Sequence, residues 1–220
     1  MWPKEHGAYG QLAFPLVTAV AIAGVNAAAL LIVIAAITGF LSHEPLLVLL
    51  GRRGARIHRL QHRQAVNWFI VTSIAAVTTG IAAVLSAPVG QWWVFALPLA
   101  PAILYGTALA GHNEKTTTGE LAAAFAFSFI AVPLCVVAGS SLAAGLSVGL
   151  TFALLSAAST LGVRVVILRV RGGGDERAVS ATRWLLAGVI TTGTPSFVVK
   201  SSMASLVPVT PVKVGLKKVT

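Results

Sequence analysis

From Leu12 to Leu41 the chain runs for 30 residues without a charge, and its only polar side chains are Thr18, Asn26 and Thr38. A helix of that length measures about 45 Å, against roughly 30 Å of bilayer hydrocarbon, so the run is too long for one crossing and predicts a helical hairpin. Gly24-Val25-Asn26 is its natural turn, because Gly and Asn accept the positive φ that ends a helix. Uncharged runs of spanning length recur downstream. The sequence predicts spans at about 9–24, 27–42, 65–86, 92–110, 121–138 and 142–163, with a seventh candidate at 184–199 interrupted by Gly193-Thr194-Pro195.

The fold class is therefore all-α, a polytopic transmembrane helical bundle occupying residues 1–200, followed by a poorly ordered tail at 201–220 where Ser, Val, Pro and Lys dominate. With 56% hydrophobic residues, 10% charged and a mean hydropathy of +0.87, a water-soluble domain is excluded. Cys135, the single cysteine, excludes a disulfide framework and reads as a small buried hydrophobe. Trp68, Trp92, Trp93, Tyr105 and Trp184 lie near segment ends, where amphipathic rings favour the membrane boundary. Gly145 and Gly149 bring small residues to one helical face, which permits close helix packing.

Counting crossings places the N-terminus, residues 42–64, the 111–120 loop and the 164–183 loop on one side. Those segments hold all six acidic residues and twelve of the sixteen basic ones, whereas the opposite turns carry no charge. Basic charge on one side predicts a cell-membrane protein, multi-pass, with its N-terminus and charged loops cytosolic. The formal charge of +10 thus follows from membrane topology, not from nucleic-acid binding. The partners to expect are membrane lipids.

Residues 42–63 concentrate the chemistry, with five arginines, three histidines and one glutamate. On a helix Arg52, Arg56, Arg59 and Arg63 share one stripe, suited to phosphate oxygens through the guanidinium fork; the plain alternative is an anchor snorkelling to anionic head groups. His43 and Glu44 sit at the end of span two, where Pro45 is expected to open the backbone ladder. They are candidate acid–base residues, or Glu44 forms a structural ion pair with an arginine. His58 and His62, four apart, lack a third local ligand, and no metal site is assigned. With Thr117 as N-cap, Glu120 would complete a capping box. Lys4, His6, Asn113 and Glu114 lie at the same membrane level, so these groups and the arginines are expected to converge in one vestibule as substrate-binding residues. No cofactor is identifiable from the residues.

Pro3-Lys4-Glu5-His6-Gly7-Ala8-Tyr9, then Glu44-Pro45-Leu46 and Gly51-Arg52-Arg53, and the Asn113-Glu114 loop with Glu120, resemble the YwiC-like family of bacterial integral membrane proteins over roughly residues 2–185. The resemblance implies a polytopic inner-membrane protein and bears on topology more than on mechanism. A looser architectural similarity links the chain to UbiA-type prenyltransferases, which hold diphosphate through magnesium on paired Asp-rich motifs. Here Asp175 is the single aspartate, so a diphosphate would be held mainly by arginines, with Glu44, Asn113 and Glu114 supporting any cation.

Two classes of function remain. One binds an anionic lipid or polyprenyl phosphate through Arg52, Arg56 and Arg59, as a membrane enzyme if His43 and Glu44 do acid–base work. The other is a small-molecule transporter or a non-catalytic membrane scaffold; transport predicts charged or broken-helix positions at mid-membrane. The orientation is tested by thiol labelling. Gln61→Cys and Lys115→Cys proteins react with an impermeant reagent only in inverted vesicles, and Val89→Cys and Ser140→Cys only in intact cells; the opposite pattern refutes the assignment.

Overall fold

The computed structural model describes residues 6–111 and 116–170, with four further helical positions at 180, 183, 184 and 187. Among them there are helices and no strands: α1 (His6–Ala23), α2 (Ala27–Leu49), α3 (Ala55–Ser86), a 3-10 turn (Val89–Phe95), α4 (Ala96–Ala110), α5 (Thr117–Phe129), α6 (Ala131–Val137) and α7 (Leu142–Val170). The chain is an all-α polytopic bundle. Five helical stretches are long and apolar enough to cross a membrane, namely α2, α3, the 3-10 turn with α4, α5 with α6, and α7; the apolar part of α1, Gly7–Ala23, is shorter.

The hairpin turn forms where glycine and asparagine allow it. Gly24 takes φ +79° and ends α1, and Asn26 caps α2 by accepting a hydrogen bond from Ala29 N at 2.8 Å. The Asn26 amide also donates to Val137 O at the end of α6, 2.7 Å away. One side chain thereby satisfies a helix start and a helix end at the uncharged face of the bundle.

Three elements differ from expectation. α2 continues seven residues past 42 and carries Pro45 within it; proline removes one donor, but buried Leu47 and Val48 keep the following turn packed. α3 begins at Ala55, ten residues before 65, and its 32 residues span about 48 Å, so its first turns overhang the hydrocarbon. The span expected at 121–138 starts at Thr117 and is divided at Ile130, where Pro133 leaves a carbonyl of the preceding turn without its donor. The seventh segment, 184–199, and the tail, 201–220, fall outside the described residues apart from Trp184 and Ala187.

The divided α5–α6 stretch is the most buried of the membrane-length elements. α1, α2 and α7 pack around α6, and α4 and α7 pack on α5, while α3 lies chiefly on α2. Leu134, Cys135 and Val132 are fully enclosed, and Tyr9, Phe40 and Phe127 meet edge-on at centroid distances of 5.1 and 5.7 Å, joining α1, α2 and α5. α7 approaches α6 because its contact residues lack side chains: a Cβ on Gly145 would lie 3.1 Å from Val132 Cα and O, and one on Gly149 3.2 Å from Val132 Cγ2.

Gly145→Ala should therefore lower thermal stability in detergent by about 1–3 kcal/mol through overpacking against backbone. Gly162 has open space where its Cβ would stand, so Gly162→Ala should be neutral or stabilising by up to about 1 kcal/mol.

Candidate functional site

The charged end of the bundle is built by the α2–α3 turn, the end of α4, the start of α5 and the latter half of α7. The α2–α3 turn is a Schellman motif. Gly51, at φ +72°, donates from N to Val48 O at 3.0 Å, and Arg52 N donates to Leu47 O at 2.9 Å. Gly54, at φ +90°, starts α3 without a side-chain cap. This compact reversal throws the side chains at 52 and 53 back over the bundle.

Arg53 lands on Glu44. Its Nε donates to Oε1 at 2.9 Å and its second nitrogen to Oε2, a bidentate pair in which the Glu44 side chain is only 7% exposed and Arg53 25%. The guanidinium thus compensates the carboxylate at a depth where an isolated charge would be costly. Arg52 Nη2 donates to Leu109 O at 2.9 Å, at the end of α4, and satisfies one of the carbonyls that a helix C-terminus leaves open. His43 Nε2 and the Tyr105 hydroxyl lie 2.7 Å apart and join α2 to α4. His58 Nδ1 sits 2.8 Å from Val48 O and pins the first turn of α3 to the end of α2. On the far side Arg164 Nε donates to Glu120 Oε2 at 3.0 Å, linking α7 to α5.

These contacts revise the expected site. Arg52 is in the turn, not on α3, so the stripe comprises Arg56, Arg59 and Arg63; at 100° per residue they share a 60° sector, and all three are exposed. Buried Ala65 lies on the opposite side of the helix. Glu44 does form an ion pair, but with Arg53, which belongs to no helical stripe. Glu120 does not close a capping box: Thr116, not Thr117, is the N-cap, accepting from Gly119 N at 3.2 Å, and the Glu120 carboxylate turns instead to Arg164. His58 and His62 meet edge-on with centroids 4.9 Å apart, and among the described residues no three His, Cys, Asp or Glu side chains gather as a metal site.

The structure brings His43, Glu44 and Arg52 to neighbouring tie points and leaves Arg56 and Arg59 outside them. Lys4, Asn113 and Glu114 fall outside the described residues, and of His6 only the backbone, at the start of α1, is described. Arg53, Tyr105 and Arg164 are the partners that sequence reasoning passed over. The signal for Arg53 was Gly51 directly after an apolar helix, the mark of a reversing turn. Nothing in the sequence couples Tyr105 to His43, 62 residues away.

A family model described as YwiC-like protein matches residues 2–136. The matched part ends within α6, short of the 185 suggested by the motifs. No curated protein and no solved structure matches the chain.

Removing one member of the buried pair leaves the other desolvated. Glu44→Ala should lower stability by about 1–3 kcal/mol, and combining Glu44→Leu with Arg53→Met should recover part of the loss, because an apolar pair carries no desolvation cost. Thermal unfolding of the single and double variants measures both.

Proposed function

The chain belongs to the YwiC-like family, and from that premise we propose that this multi-pass membrane protein binds the phosphate of an anionic lipid or polyprenyl phosphate at its charged end, which faces the cytosol. The observation that carries the reading is the exposed stripe of Arg56, Arg59 and Arg63 on the overhanging turns of α3. A 32-residue helix needs only about 20 residues to cross hydrocarbon, so the first ten or so lie at head-group depth. Three guanidinium groups on one sector supply donors in the planar fork that phosphate accepts, and the uncapped start of α3 adds its dipole. Leu60, 75% exposed beside this stripe, offers an apolar contact at the same level. Arg52, held by Leu109 O, orients the turn that presents Arg56 and Arg59. The excess of basic residues at this end supports its cytosolic placement.

Enzymatic turnover is the second reading, and its support is the His43–Tyr105 contact at 2.7 Å, a hydrogen-bonded couple able to move a proton. Glu44, engaged by Arg53, fits positioning better than proton transfer.

Replacing Arg56, Arg59 and Arg63 together by lysine preserves charge and removes the fork. The variant should insert and unfold like the parent yet retain less co-purifying anionic lipid, binding it more weakly by about 1–3 kcal/mol for each charge-assisted hydrogen bond removed. Native mass spectrometry of parent and variant decides it: the same lipids in the same amount mean that the stripe is only an anchor.

A further inference from the structure

α4 and α5 are antiparallel neighbours that do not close on each other completely. Between them lies a groove of about 370 Å³ lined by Leu97, Pro101, Leu104, Thr118, Phe125 and Phe129. Buried Ala122 also lines it, and its small side chain leaves the floor deep. Phe125 and Phe129, with ring centroids 5.9 Å apart, lie one turn from each other along α5. Thr118, at the charged end, is the one polar residue in the lining among the described residues. Water entering this space would find almost no hydrogen-bond partner, so the groove demands an apolar occupant.

Its length and depth say which. From Thr118 to Phe129 the groove follows α5 for about 16 Å, half of the roughly 30 Å hydrocarbon thickness, hence the depth of a single leaflet. It starts at the charged end, where α4 finishes and α5 begins. The two helices belong to elements of membrane-spanning length, and the neighbouring surface of α4, with Leu99 and Ile103 more than half exposed, is itself lipid-facing.

We propose that the α4–α5 groove is a binding site for one acyl chain of a phospholipid in the leaflet at the charged end. The acyl chain enters beside Thr118 with its head group at the level where α4 ends and α5 begins, lies against Phe125 and Phe129, and ends near Leu97. The site stands independently of the arginine stripe, because it recognises a hydrocarbon tail and not a phosphate.

The test uses the full chain in nanodiscs of phosphatidylcholine containing a small fraction of phosphatidylglycerol or phosphatidylcholine with a diazirine at mid-chain. After photolysis, mass spectrometry maps the adducts. Adducts at Leu104, Phe125 and Phe129 should exceed those at Val71 and Ile74 of α3, which are exposed to lipid without a groove, by about tenfold, and Ala122→Leu, which fills the floor, should abolish the excess. Thr118→Trp, at the exposed rim, blocks the entrance without touching the core and should do the same. Adducts spread evenly over the lipid-facing helices, or a groove crosslinked to a second copy of the chain, overturn the proposal. Groove adducts formed equally by both head groups and absent from Ala122→Leu support the groove while counting against head-group selectivity; a preference for phosphatidylglycerol without groove enrichment does the reverse.

Discussion

Hydrocarbon offers no hydrogen-bond partner to a peptide group, and nearly every feature of this bundle follows from that constraint. It confines the membrane-depth backbone to helices and makes each interruption a matter of where the freed groups go. Several hydroxyl side chains within the spans return to their own helices: Thr38 donates to Ile34 O at 2.7 Å, Thr72 to Trp68 O at 2.7 Å, Thr79 to Ala75 O at 2.6 Å and Ser128 to Ala124 O at 2.7 Å. Asn26 lies at the uncharged face, where one amide serves two helix termini. The division at Ile130 is tolerated because it lies inside the bundle, against the glycine face of α7, and not against lipid.

The same logic governs the charges. At the charged end, Glu44 with Arg53, Glu120 with Arg164, Arg52 with Leu109 O and His43 with Tyr105 each bridge two elements or close a turn on its own helix. A half-buried, solvent-reached pair such as Arg164–Glu120 contributes little on its own. The Glu44–Arg53 pair is different in kind, since a buried carboxylate without its guanidinium would be uncompensated, and it also holds the turn between α2 and α3. The arginines left outside this bracing, Arg56, Arg59 and Arg63, are the ones to which the proposed phosphate binding is assigned. Under that proposal, binding and bracing fall to different arginines of one short stretch.

The apolar run lengths, the one-sided charge, the Gly24-Val25-Asn26 turn and the small faces of Gly145 and Gly149 are readable from residues alone. Each depends on a property summed over a few turns of one helix: transfer of about 20 residues into hydrocarbon, the φ range of glycine, the width of a side chain. An all-α membrane bundle could accordingly be anticipated from the amino acids in order, and the Pro3-Lys4-Glu5-His6-Gly7 and Glu44-Pro45-Leu46 motifs carried the resemblance to the YwiC-like family. The stretch 42–63 that carries several of these contacts stood out in the residues, but the contacts themselves did not.

Which groups meet is settled only when the helices pack. The extension of α2 through Pro45 to Leu49 depends on packing around Leu47 and Val48, which outweighs the local cost of proline. Arg52 leaves the stripe because a Schellman turn ends the helix before it, and Glu120 abandons a local cap for Arg164, 44 residues away. His43 and Tyr105 come together because the bundle brings the charged ends of α2 and α4 within side-chain reach, although the two helices hardly pack on each other. Hydrophobicity accumulates along the chain and can be read there, whereas the pairing of a single charged or polar group is set by the approach of two helix faces, and that approach belongs to the folded molecule alone.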